Sequence, residues 1–255
     1  MKVGLVLSGG GIRGIAHLGV LQALSEAGIK FHMISGTSAG AIVAALFSQG
    51  LEPRKILQVF MKTHIYKYIR PAFQSSGLIS LDKMRTLFLK YMPHDSFEAL
   101  NIPIVVATTN FGESKLTYFN SGELINVILA SSSIPLFFKP IIIDNKIYID
   151  GGLLNNFPVE PLIADCDFIV GSSCNHLPDI NKIENYRKLI ERSVNMSINA
   201  DMVMKSKHCD VIIEPEGLGA TSIFDVKKTE EIFWLGYETA LRKLKTDDKL
   251  KSILD

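Results

Sequence analysis

Gly36-Thr37-Ser38-Ala39-Gly40 has the form G-x-S-x-G, the spacing in which a serine hydroxyl stands exposed on a sharp strand-to-helix turn as a nucleophile. Small residues two before and two after Ser38 let strand and helix crowd together, and the helix N-terminus behind the hydroxyl favours an anion. Gly and Ser are common, so the pentapeptide alone also fits a plain N-capping serine. A second segment, Gly9-Gly10-Gly11-Ile12-Arg13-Gly14, lies between an apolar run and a helical pattern. Backbone N–H groups in such a turn sit beside a positive helix end and stabilise negative charge. Gly9, Gly11 and Gly14 satisfy G-x-G-x-x-G, but the second strand ends in Ile34-Ser35 with no carboxylate to hold a ribose. Gly14 is followed by Ile15, not by the Lys of a P-loop. Phosphate cradling of either kind is disfavoured, which leaves an oxyanion-stabilising loop or a tight turn.

A serine hydroxyl is a weak nucleophile without a base. His176, in Ser173-Cys174-Asn175-His176-Leu177-Pro178 after a strand, occupies a position where a late catalytic histidine can stand. His17 reads as a structural residue of the first helix, His208 as a cap or surface group, and His32, His64 and His94 have no motif around them. Asp150 is the stronger candidate. It ends a strand and is followed by Gly151-Gly152, so the carboxylate is held while its neighbours allow another backbone to approach. The plainer alternative is an Asp-Gly turn.

These residues need strands and turns to bring them together. Val3–Leu7 is a branched apolar run ended by glycines, as expected of a buried parallel strand. Residues 12–27 show a helical face stopped by Gly28. A second strand is predicted over 32–35 and a second helix over 38–48. Further helices are expected over 81–91, 123–131, 186–205 and 229–244, and strands over 104–109, 115–119, 168–171 and 211–213. A hairpin is expected of 141–143 and 146–149 about Asp144-Asn145. The order β-α-β-α, then mixed strands, then β-α-β-α predicts a three-layer α/β/α domain, its central sheet mostly parallel with an antiparallel part. No repeat or linker is visible, so residues 1–255 are expected to form a single domain.

The chain has 255 residues, 27 basic against 26 acidic, and is 47% hydrophobic, with a mean hydropathy of +0.22. Disorder needs low hydrophobicity and high net charge. A net charge of +1 argues against a nucleic-acid partner, which would demand a strong basic excess. No run approaches the roughly 18 apolar residues of a membrane span, and the first apolar run is too short for a secretory leader. Cys166, Cys174 and Cys209 are odd in number and lack metal-ligand spacing. Reduced thiols, a cytoplasmic location, no metal and no cofactor are the expectations.

Taken together, the glycine loop, the Ser38 pentapeptide and Asp150-Gly151-Gly152 resemble the patatin-like phospholipase family. A fourth block, Ala130-Ser131-Ser132-Ser133-Ile134-Pro135, looks like the family's segment ahead of its Asp. Order and spacing fit from residue 3 to about residue 160. The last third matches only in its coarse strand–helix pattern. The resemblance implies a patatin-like fold and a Ser–Asp dyad with no histidine in the proton relay. Ser38 would be the nucleophile, Asp150 the base, and Gly9, Gly10, Gly11, Ile12, Arg13 and Gly14 the oxyanion-hole loop. Gly36, Gly40, Gly151 and Gly152 would support it. Arg13 would either hold the loop or meet a phosphate. The implied activity is phospholipase A or lysophospholipase-type hydrolysis through an acyl-enzyme, with a lipid ester as substrate. A thioesterase, a transacylase, a peptidase or a regulatory scaffold could be built on the same residues.

One stretch stands apart from the neutral average. Residues 51–73 carry Arg54, Lys55, Lys62, Lys67 and Arg70 against Glu52 alone, among many apolar and aromatic residues. Such a stretch can lie on an anionic membrane surface, and it can equally be a core helix with a solvated basic face. Peripheral membrane contact through 51–73, with that region and the loop 70–80 together forming a mobile cap beside Ser38, is therefore an expectation.

Overall fold

The computed structural model describes residues 1–62, 81–135, 137–177, 179–183, 185–220 and 228–254. Its strands are β1 (Val3–Leu7), β2 (Met33–Thr37), β3 (Ile104–Asn110), β4 (Lys115–Phe119), β5 (Ile141–Ile143), β6 (Lys146–Asp150), β7 (Phe168–Ser172) and β8 (Val211–Ile213). Its helices are α1 (Ile15–Glu26), α2 (Ala39–Ser48), α3 (Pro53–Lys62), α4 (Asp82–Leu89), α5 (Ile125–Ser131), α6 (Glu160–Ile163), α7 (Tyr186–Ile198), α8 (Met202–Ser206), α9 (Thr229–Thr246) and α10 (Asp248–Lys251). Hydrogen bonding links the strands in the order β5-β6-β3-β2-β1-β7-β8, with β4 also on β3. The pairs among β3, β2, β1, β7 and β8 are parallel. β4, β5 and β6 form the antiparallel part.

The unalternating apolar run of β1 follows from burial on both faces. Val3, Leu5 and Leu7 join the large cluster under α1, α2 and α9. Val6 turns the other way, to a smaller cluster with Phe157, Val159, Leu162 and Ile169. On that second face Ser35 and Thr37 donate to the carbonyls of Pro158 and Asn155, which ties residues 155–163 across β2. The result is the expected three-layer, mostly parallel α/β/α architecture.

α1 and α9 touch backbone to backbone. A Cβ added at Gly19 would lie 2.0 Å from the Phe233 carbonyl oxygen, and one at Gly236 would lie 2.1 Å from that of Ala16. Neither carbonyl can yield without moving a helix. Gly236→Ala is therefore expected to cost about 1–3 kcal/mol by overpacking, lowering the thermal midpoint by about 2–4 °C per kcal/mol. An unchanged melting curve would contradict this contact.

The register at β3 matters most for function. One edge of β3 pairs with β4 over residues 106–110. The opposite edge is shared by two strands laid end to end: β2 over residues 104–107 and β6 over residues 108–110. Thr37 is the partner of Ala107 and Asp150 the partner of Thr108. Because β2 is parallel and β6 antiparallel to β3, their C-terminal ends face each other. Ser38 and Asp150 are therefore delivered to one spot.

The structure corrects several sequence-based boundaries. The first helix does not begin at residue 12; residues 11–14 form a 3-10 turn and α1 starts at Ile15. The helix expected over 186–205 is two helices, α7 and α8. It breaks where the Asn199 side chain donates to the Asn195 carbonyl at 2.7 Å, a local bond that competes with helix continuation. Of the stretch 51–73 and the cap expected to run on to residue 80, residues 63–80 lie outside the described residues. α3 buries Ile56, Leu57, Val59 and Phe60, and Arg54 stacks 5.2 Å from the Trp234 ring centroid. Exposed apolar side chains include Met61 of α3 and gather also around α7 and α8, among them Ile183, Ile190, Val194, Met196 and Val203. Cys166, Cys174 and Cys209 are unpaired thiols. Among the described residues no helix is long and apolar enough to cross a membrane.

Candidate active site

Ser38 sits at the turn from β2 into α2 with φ 54° and ψ −121°, a backbone conformation that side chains rarely adopt. Packing holds it there. Its N–H donates to Ser131 Oγ at 2.8 Å, and that hydroxyl donates in turn to the Ala107 carbonyl at 2.6 Å. The flanking glycines are required by closeness: a Cβ at Gly40 would lie 2.4 Å from the Leu7 carbonyl oxygen, and one at Gly36 would lie 2.7 Å from the Gly40 carbonyl carbon. The side chain makes no capping bond to α2. It donates to Asp150 Oδ2 at 2.7 Å.

Asp150 is the last residue of β6 and is 5% exposed. Its N–H donates to the Ser133 carbonyl, and its own carbonyl accepts from Thr109 Oγ1. The second carboxylate oxygen, Oδ1, accepts from the Gly152 N–H at 2.7 Å. A Cβ at Gly151 would lie 2.2 Å from the Ala107 carbonyl oxygen, so this turn also hugs β3. Burial pushes the Asp150 carboxyl up to about 6, against the opposing hydrogen bonds from Ser38 and Gly152. Ser131 and Ser133, read from the sequence only as part of a matching block, thus brace the serine and the aspartate from one segment.

The glycine loop runs past Ser38. A Cβ at Gly9 would lie 3.2 Å from Ser38 Cβ, and one at Gly14 would lie 2.5 Å from Ala39 Cβ. Gly11 has φ 58°, a natural glycine position. The N–H groups of Gly9 and Arg13 are taken by the carbonyls of Asn156 and Gly10. Among the described residues those of Gly10, Gly11 and Ile12 meet no protein acceptor. Arg13 is 2% exposed. It donates to the Gly10 carbonyl, to Asn175 Oδ1 and to Asn195 Oδ1, the bonding of a residue that holds the loop.

The histidines divide clearly. His17 lies beneath the loop, its Nε2 2.9 Å from the Ser8 carbonyl and its Nδ1 2.8 Å from Ser172 Oγ. A carbonyl only accepts, so Nε2 carries the proton and Nδ1 accepts from Ser172. Burial pulls this imidazole down to about 4, so it stays neutral. His176 pairs with Glu214 at 3.5 Å. Among the described residues it makes no hydrogen bond with Ser38.

Reading the sequence missed Asn156 and Asn175. The Asn156 carbonyl accepts from Gly9, and its side chain lies beside Gly9 and Gly152 while donating to Asn199 Oδ1 on the turn after α7. Asn175 lies just past the C-terminal end of β7, the parallel neighbour of β1. In open α/β sheets sites form at such strand ends, and that rule was the available signal.

Residues 5–163 match the model of the patatin-like phospholipase family, a span that holds the glycine loop, Ser38 and Asp150. The chain belongs to this family. An uncharacterised NTE-family protein of Mycobacterium tuberculosis strain H37Rv is 30% identical over 177 residues, covering 68% of this chain and 49% of that protein. The lysophospholipase NTE1 of Coccidioides immitis is 30% identical over 178 residues, covering 66% of this chain and 11% of the fungal protein. The chain thus spans half or less of these patatin-like relatives. VipD of Legionella pneumophila shares the fold, with a TM-score of 0.66 at 16% identity over 96% of this chain and 67% of VipD.

Proposed function

We propose that this patatin-like chain is a lipid acyl hydrolase of the phospholipase A or lysophospholipase type, working through a Ser38–Asp150 dyad. The observation that carries the reading is the 2.7 Å hydrogen bond from Ser38 Oγ to a buried carboxylate, with loop amides beside it that meet no acceptor among the described residues. The lysophospholipase name of one relative supports a lysophospholipid as substrate.

In the proposed cycle Ser38 Oγ attacks the ester carbonyl carbon as its proton passes to Asp150 Oδ2. The carbonyl oxygen becomes an oxyanion and takes the N–H groups of Gly10, Gly11 and Ile12, worth about 10²–10³ in rate per donor in comparable sites. The tetrahedral adduct collapses, and the leaving alkoxide takes the proton from Asp150. A water then attacks the acyl-Ser38 carbonyl, gives its proton to Asp150, and the second collapse returns that proton to Ser38. An aspartate with an ordinary pKa would be a poor base; one raised to about 6 is better matched to this task and still ionised at neutral pH. Peripheral contact with lipid belongs to the proposal, whether through residues 51–73 or through the exposed apolar residues around α7.

The test is a substrate panel with a fluorophosphonate probe beside it. Stoichiometric labelling confined to Ser38, with fatty acid released from lysophospholipid or diacyl phospholipid, is expected. Labelling with no release from any lipid ester would move the reading to another acyl chemistry. No labelling at all would overturn it.

A further inference from the structure

Three consecutive glycines have little conformational preference of their own. Something outside the loop must therefore decide where the N–H groups of Gly9-Gly10-Gly11 point. In a planar trans peptide the carbonyl of one residue and the N–H of the next lie on opposite sides of the chain. Fixing one fixes the other.

The Gly9 carbonyl is fixed from one direction. It accepts from Asn175 Nδ2 at 2.5 Å, and the Cys174 thiol stands 3.4 Å from it. The Asn175 amide cannot be turned round: Nδ2 faces a carbonyl that only accepts, and Oδ1 faces an Arg13 Nη2 that only donates, at 2.9 Å. Nδ2 also lies 3.2 Å from Ser8 Oγ. The Asn175 segment is anchored to the sheet, with the Ser173 N–H on the Ile213 carbonyl of β8 and the Asn175 N–H on Ser173 Oγ. The next peptide is fixed by Arg13, whose N–H and Nε both donate to the Gly10 carbonyl, at 3.2 and 3.4 Å. Asn175 thus holds the first peptide directly and the arginine that holds the second.

We infer that Asn175 is a positioning residue: by drawing the Gly9 carbonyl into the protein it aims the Gly10 N–H at the oxyanion. The inference rests on the proposed hydrolase reading and deepens it. It gives a tertiary source for a donor direction that the loop's composition leaves open. Without Asn175 the Gly9 carbonyl keeps only the weaker Cys174 thiol contact, so the Gly9–Gly10 peptide is held less firmly and the oxyanion loses a preorganised donor.

Asn175→Asp and Asn175→Ala are the variants to compare with wild type. The aspartate keeps the shape and the acceptor for Arg13 but loses the donor to Gly9, so it separates aim from packing. Both variants are expected to lower kcat about 10²-fold, with KM changed less than about twofold and fluorophosphonate labelling slowed by the same factor as kcat. The rate is expressed per active site, counted from the labelling endpoint, so that lost folding is not mistaken for lost aim. A merely structural role would reduce the number of labelled sites or the melting temperature while leaving kcat per site unchanged, and that result overturns the inference. A wild-type protein that neither labels nor hydrolyses esters would instead remove the underlying reading, whatever the variants do.

Discussion

Ser38→Ala is expected to lower ester hydrolysis by about 10⁴–10⁶-fold, the range seen when single members of a serine hydrolase's catalytic set are removed, and to abolish fluorophosphonate labelling. The substitution removes one oxygen and keeps the backbone. The strained turn is held by bonds that do not involve the hydroxyl, from the Ser38 N–H to Ser131 and from Thr37 Oγ1 to Asn155. Folding should therefore survive, and circular dichroism with thermal melting checks that it does. The hydroxyl has one described partner, Asp150, so its loss disturbs little else. Retained labelling in Ser38→Ala would place the nucleophile elsewhere.

Asp150→Asn is expected to lower kcat by about 10³–10⁴-fold. Asparagine can still accept from Gly152 through its oxygen, but it then turns an N–H towards Ser38. The nucleophile would receive a hydrogen bond instead of giving one, and no group would take its proton. The wild-type pH profile should show the same residue: kcat/KM rising with pH and levelling above about 6, where Asp150 is ionised.

The same carboxyl makes an opposite prediction for stability. Its folded value of about 6 lies above the unfolded 3.8, so the folded state holds the proton more tightly. Ionised Asp150 then costs nothing below about pH 4, costs progressively more between about 4 and 6, and costs its full amount above that. Two units correspond to roughly 2–3 kcal/mol. Asp150→Asn is therefore expected to melt higher than wild type at pH 7 and no higher at pH 4. An activity-dead variant that is also the more stable one is the pattern of a site kept at the expense of stability. A lower midpoint at pH 7 would contradict the burial argument.

Much of the site is visible in the chain because its requirements are local. The turn after β2 needs small residues around Ser38, and a Cβ at Gly36 or Gly40 would strike backbone. Such positions announce themselves as a pentapeptide. The buried strands likewise appear as short branched runs. The break between α7 and α8 was not legible, because the apolar pattern continues through it. Asn199, which both bonds its own helix and accepts from Asn156, decides the stop. Asn175 has no acid–base chemistry to mark it beside its neighbour His176, because the inferred role lies in where an amide points and not in residue type.

The residues alone left two candidate bases, Asp150 the stronger and His176 the runner-up, and the family resemblance pointed to Asp150 as well. Local stereochemistry was enough to mark a nucleophile turn, a glycine loop and a carboxylate at a strand end, since each is a constraint on a few adjacent residues. Which of them meet was decided by the tertiary structure. β2 and β6 share one edge of β3 end to end, and that register brings together residues 112 positions apart. The raised carboxyl of Asp150 and the aim of the Gly10 N–H come from the same source. Burial and anchoring by distant segments are properties of packing, which no short stretch of sequence contains.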